Sequence, residues 1–164
     1  MEDGGAMKAL TILQPYAELI RSGEKRVENR EWYTTHRGWL AIHAGKGRSM
    51  LQPGDLNRWP NMTFGAVVAL ALVDACVSLA DVQRGRVPRE LEWVGQHCWA
   101  YGPYCWVFGQ VVALSHPVGC RGWLGVFDLP VRVERDVAGQ IGPVRMDGER
   151  RWLPVCARQE EFAL

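Results

Sequence analysis

The stretch KALTILQPYAELIRSGEKRVENREWYTTHRGWLAIHAGK, Lys8 to Lys46, decides how this chain reads. Its apolar opening, Lys8 to Leu13, predicts a first strand. Gln14-Pro15 follows, and proline suits the first position of a helix because its missing N–H has no partner there. Tyr16, Leu19 and Ile20 then fall on one helical face, and Gly23 supplies the stop. Gln14 stands where Ser, Thr, Asp or Asn would cap better; either its amide has another task or it bonds a neighbouring loop. Lys25 to Trp32 predicts a charged strand. Its period of two puts Arg26, Glu28, Arg30 and Trp32 on one face, with Val27 and Asn29 opposite. Arg37-Gly38 turns the chain into a further strand, Trp39 to Ala44. Polar side chains thus enter a region whose pattern is otherwise that of packed structure.

Taken in order, Gln14-Pro15-Tyr16-Ala17, Ser22 to Arg30, Trp32 to Gly38, Leu40 to Ala44 and the later Pro117-Val118-Gly119-Cys120-Arg121-Gly122 resemble the ASCH domain, the module named for homology to the activating signal cointegrator. The pieces cover most of residues 8–130, and their ordered combination is specific where no single piece is. The resemblance implies a mainly β, α+β fold: a PUA-like β-barrel with short flanking helices, tied to recognition of RNA and modified nucleosides. Lys25 to Gly38 looks especially like the coactivator branch, which brings in DNA beside RNA as a partner. One small branch of the superfamily hydrolyses N4-acetylcytidine. Its catalytic lysine aligns with Lys25, but its catalytic threonine falls on Glu28, and a carboxylate cannot replace a hydroxyl nucleophile without a change of mechanism. No counterpart of that branch's catalytic glutamate is identified.

The length of 164 residues suggests one domain, 1–164, with a core at about 8–130 and an extension at 131–164. The net charge of +1 argues against a non-specific duplex binder, which needs many phosphate-neutralising cations. Arginine is plentiful and lysine scarce, and arginine suits planar, bidentate contacts with phosphates and bases. Five cysteines are an odd number with no disulfide-framework spacing. Met1-Glu2-Asp3-Gly4-Gly5 is acidic and has no apolar signal region. No apolar run reaches membrane-spanning length. The expectation is a soluble cytoplasmic protein with reduced thiols and no membrane partner.

Downstream, residues 46–63 read as a loop with one helical turn. Gly65 to Val77 is almost continuously apolar, as expected of a central strand buried on both sides. Ser78 opens a short helix through Gln83, and Pro88 to Gln96 forms another with Leu91 and Val94 inward. Cys105 to Leu114 and Leu124 to Leu129 predict strands. In the extension, Met146-Asp147-Gly148-Glu149 predicts a hairpin turn pairing roughly Gly142–Arg145 with Arg150–Val155.

The residues with chemical potential gather early in the chain. Lys25, Glu28 and Arg30 offer donors and an acceptor suited to the polar edge of a base. By spacing alone the same pattern serves as an exposed ladder of charges; the resemblance sets it beside a ligand cleft. Trp32 shares the Glu28/Arg30 face and leads the candidates for stacking on an unpaired base, with Tyr16 second. Eight tryptophans in so small a domain must be mostly core. His43 ends a strand beside Ala44-Gly45-Lys46, where small residues permit close approach, although a lone histidine in an apolar strand also serves as a satisfied core residue. Arg37 and Arg121 each precede a glycine and either clamp phosphate or form ordinary turns.

His97, Cys98, Cys105, His116 and Cys120 are possible zinc ligands, but their spacing lacks the tight pairs of zinc motifs. No metal and no cofactor are expected, and buried free cysteine is the default. Nucleophile elbow, phosphate loop and dinucleotide fingerprint are all missing. The expected function is binding of RNA, DNA or a nucleoside in the cleft between the first helix and the barrel, through Gln14, Tyr16, Lys25, Glu28, Arg30, Trp32, Arg37, His43, Lys46 and Arg121. The alternatives are an amidohydrolase using Lys25 and Glu28 on an N4-acylated cytidine, and a protein-interaction module in transcription coactivation. Oligomeric state is not legible.

Overall fold

The computed structural model describes residues 5–141. The chain runs β1 (Lys8–Ile12), α1 (Tyr16–Arg21), β2 (Val27–Arg30), β3 (Gly38–Ala44), α2 (Asp55–Arg58), β4 (Ala66–Ser78), α3 (Leu79–Gln83), a 3-10 helix (Arg89–Gln96), β5 (Tyr104–Gly119), β6 (Val126–Asp128) and α4 (Val131–Ile141). The strands form one six-stranded sheet in the order β2-β5-β4-β3-β1-β6. β1 and β3 are parallel, and the other neighbouring pairs are antiparallel.

Strand alternation divides the core. Leu10 and Ile12 of β1, Leu40 and Ile42 of β3, Ala69 and Ala71 of β4, and Trp106 and Phe108 of β5 point to the side covered by α1. Ala9, Ala41, Leu70 and Leu114 point to the other, covered by α4. β4 is therefore buried on both faces, which explains its near-continuous apolar sequence. A third cluster joins Val27, Val77, Val107, Val82 of α3 and Val94 of the 3-10 helix.

The sheet is curled into a half-barrel with short helices. One contact shows the curl. β2 and β1 are four strand spacings apart in the sheet order, roughly 19 Å if the sheet were flat. Yet Arg30 at the end of β2 donates from Nη2 to the Thr11 carbonyl of β1 at 3.0 Å.

Several elements differ from expectation. β2 spans Val27–Arg30 rather than Lys25 to Trp32. Lys25 is held in the turn because its N–H donates to the Leu19 carbonyl of α1. The strand stops at Arg30 because its neighbour β5 begins opposite, at Tyr104. β5 continues to Gly119, past the expected end at Leu114. Its ladder with β4 is interrupted between Val67 and Ala69, and such an irregularity accommodates Pro117, which has no N–H to give. The last strand is only Val126–Asp128, and Leu124 is fully exposed.

The extension begins with a helix, α4, where none was expected. Val133, Val137 and Ile141 recur every fourth residue and pack on the second cluster. The expected Gly142–Val155 hairpin lies outside the described residues. α1 has only six residues, too few to stand alone in water. It persists because Ala17, Leu19 and Ile20 are buried. Gly23 ends it in the left-handed region, at φ 83°.

Candidate functional site

α1, the turn after it and β2 bring the charged residues together. Lys25 is 3% exposed, and its Nζ lies 2.6 Å from Glu28 Oε2 while also donating to the Val27 carbonyl. The other carboxylate oxygen of Glu28 lies 3.1 Å from Arg30 Nη2. Glu28 is thus a buried anion held between two cations, which is how a protein tolerates charge away from water. Arg30 Nε is buried and finds no hydrogen-bond partner among the described residues.

Aromatic rings border this network. The Arg30 guanidinium lies 5.5 Å from the Trp32 ring, which is itself edge-on to the buried Trp106. Trp32 lies in the bend beyond β2 and remains 42% exposed. Lys25 Nζ is 5.8 Å from the centre of the Tyr16 ring on α1. Tyr16 packs edge-on against Trp99, whose carbonyl accepts a hydrogen bond from Asn29 Nδ2. Asn29 Oδ1 in turn accepts the N–H groups of Tyr101 and Gly102. Neither Trp99 nor Asn29 carries a local sequence signal of a role at this site. Their partnership spans about seventy residues, beyond the reach of any local pattern.

Gln14 is fully buried, and both ends of its amide serve the protein. Oε1 accepts the Glu18 N–H, the capping function that Pro15 cannot supply, and Nε2 donates to the Thr63 carbonyl. His43 is turned the other way. It is 2% exposed and packs edge-on to Phe127. Its Nε2 pairs with the Cys120 carbonyl and its Nδ1 with Thr11 Oγ1. Burial lowers its pKa, against the raising effect of the Cys120 carbonyl. It therefore has the environment of a satisfied core histidine and does not join Lys25 and Glu28.

Arg37 folds back on its own turn, donating to the carbonyls of Thr34 and His36 and to the Tyr33 hydroxyl. Lys46 and Arg121 are exposed, and Arg121 stacks on Trp123 at 4.3 Å. Arg26 leaves the Glu28 face. It lies over Trp93 and donates from Nη2 to the Phe108 carbonyl, while its backbone N–H donates to His97 Nε2. Burial, Arg26 and Lys25 lower the His97 pKa to about 4.

Among the described residues no three His, Cys, Asp or Glu side chains gather as a metal site. Cys105 is buried with its thiol directed at Asn29 Oδ1, and burial raises its pKa. No described helix is long and apolar enough to cross a membrane.

Comparison with known proteins gives these features a context. The ASCH domain sequence family matches residues 10–104. Human activating signal cointegrator 1 is 52% identical over 46 residues, which is 27% of this chain and 8% of that protein. The mouse protein of the same name is 49% identical over 86 residues, 48% of this chain and 14% of that protein. The chain therefore matches only a small part of these relatives' length. The crystal structure of ASCH from Zymomonas mobilis superposes with a TM-score of 0.49 at 12% identity, covering 82% of this chain and 94% of that one.

Proposed function

The chain belongs to the ASCH domain family, and on that premise we propose that it binds single-stranded RNA, taking an unpaired base against Tyr16, Lys25, Glu28, Arg30 and Trp32. The observation that carries the reading is the half-exposed Trp32 beside an Arg30 that is already oriented by Glu28 and by the Thr11 carbonyl. An aromatic face supplies stacking that any unstacked base accepts, and a fixed guanidinium supplies directional donors at the base edge. Pre-orientation by Glu28 reduces the side-chain entropy lost on binding. The net charge of +1 favours a ligand recognised through a few contacts over a duplex held by many phosphates.

The amidohydrolase reading is less well served. Both oxygens of Glu28 face cations, and Lys25 directs hydrogen bonds to Glu28 and the Val27 carbonyl. A general base needs a lone pair free for the substrate proton.

Fluorescence anisotropy with labelled single-stranded and duplex RNA tests the proposal. Trp32→Ala should weaken single-strand binding by ~1–3 kcal/mol, and duplex RNA should bind more weakly than single strands. Equal affinity for duplex and single strand, unchanged by Trp32→Ala, would refute the base-stacking reading. Incubation with N4-acetylcytidine should release no acetate; hydrolysis abolished by Lys25→Met would replace binding with catalysis.

A further inference from the structure

We infer that a second subsite, centred on Gly65 at one end of the sheet, carries the backbone of an extended single strand past the base-binding surface. The inference rests on the reading proposed above and specifies its ligand as an oligonucleotide rather than a free nucleoside.

Three loops meet at Gly65. Its N–H donates to the Ala44 carbonyl, and its own carbonyl accepts the Cys120 N–H. The Lys46 side chain lies across it so closely that a Cβ there would be 2.8 Å from Cε, and its φ of 69° also favours glycine. The preceding residue, Phe64, carries the Arg48 guanidinium at 4.2 Å from its ring. Following Cys120, Arg121 lies 4.3 Å from the ring of Trp123, which is 52% exposed. Gly65 thus joins segments remote in sequence that carry three cations and an exposed indole.

Among the described residues Lys46, Arg48 and Arg121 form no ion pair with a carboxylate. Arg58, which also stacks on a neighbouring ring, is by contrast paired with Glu24. Stacking holds a guanidinium flat while leaving its in-plane N–H groups free to donate, an arrangement suited to phosphate oxygens. Exposed Trp123 adds a platform for a base.

The Lys46 loop of this subsite adjoins the first surface. Gly45 donates its N–H to the Ile12 carbonyl, and Arg30 donates to the Thr11 carbonyl one residue earlier. The end of β1 therefore lies between Arg30 and the Lys46 loop. From Ile12 through Ala44 and Ala66 to Gly119 the four strand ends stand in register, a span of roughly 14 Å. Measured along the curved sheet that is about four times the ~3.4 Å rise per nucleotide along a duplex strand, so the row of strand ends accommodates more than one nucleotide.

Anisotropy titrations of the full chain with fluorescein-labelled RNAs of about two and about eight nucleotides provide the test. Wild type should prefer the longer RNA. Arg48→Ala and Trp123→Ala should each weaken octamer binding roughly tenfold and leave dinucleotide binding unchanged. Arg48→Ala should also flatten the slope of log K against log salt by about 0.7. Both side chains contact the surface, and unchanged melting temperatures would confirm intact folding. The same pattern with single-stranded DNA would support the subsite, because phosphates and bases are its targets. Wild-type octamer affinity in both variants, while Trp32→Ala weakens both RNAs, would overturn this inference and leave the proposed function standing. Equal weakening of both RNAs would likewise overturn it by reducing the two subsites to one. A wild type that binds neither RNA would overturn both readings.

Discussion

Replacing Glu28 by glutamine isolates the charge at the centre of the site. The substitution keeps size and nearly keeps shape. It leaves Lys25, 3% exposed, and Arg30 facing a neutral amide in a buried place. The amide oxygen can accept from one cation, so its NH2 group is then turned toward the other, donor against donor. Breaking a buried pair by removing one partner typically costs ~3–5 kcal/mol, mostly through the stranded charge. Lys25 keeps the Val27 carbonyl and Arg30 keeps the Thr11 carbonyl, which favours the lower half of that range, about 3 kcal/mol. For a domain of this size this lowers the melting temperature by roughly 6–12 °C. Urea unfolding at neutral pH gives the free energy, with the m-value as a check on two-state behaviour. Lys25→Met, which leaves Glu28 its Arg30 partner, should cost less. The double variant should cost less than the sum of the singles, by ~0.5–3 kcal/mol. Loss of under 1 kcal/mol in Glu28→Gln, or strict additivity, would refute the claim that Glu28 is a buried anion neutralised by both neighbours.

Further outcomes follow from the surrounding packing. His97 has its pKa lowered from 6.5 to about 4, so between those values the unfolded chain binds a proton that the folded chain refuses; urea stability should fall by up to ~3 kcal/mol as pH drops through that window. His97→Gln, which retains an acceptor for the Arg26 N–H, should flatten that dependence, and an unchanged pH profile would show that His97 is not its source. At Gly122 a Cβ would lie 2.5–2.6 Å from the His43 ring and Thr11 Oγ1, so Gly122→Ala should cost ~1–3 kcal/mol through overpacking, with the His43 ring signals shifted in NMR spectra. Val137 is fully buried under α4, so Val137→Ala should cost roughly 1.5–3 kcal/mol in urea unfolding; a neutral result would mean that α4 is not part of the cooperative fold.

Features that depend on near neighbours are legible in the amino-acid order. Period-two alternation placed the strands on both sides of the core, the apolar run marked β4, and Gly23 marked the end of α1. Each signal is local because a strand's faces and a helix's end are set by adjacent backbone geometry. The ordered motifs from Gln14 to Gly122 also carried the family. The limits of β2 were not local: Lys25 is retained by α1 and Arg30 is the last residue facing β5. In α4, Val133, Val137 and Ile141 recur at helical spacing, and it is their packing on the second core cluster that establishes the helix. Tertiary structure alone decided which polar residues meet. Gln14 and His43 looked like neighbours of Lys25 by motif, yet one caps α1 and the other packs beneath Gly122. Sheet curvature brought Arg30 to Thr11, and backbone hydrogen bonds at Gly65 join the segments that carry Lys46, Arg48 and Arg121. Such meetings depend on how the sheet closes in space, a property of many strand pairings at once and of no single segment.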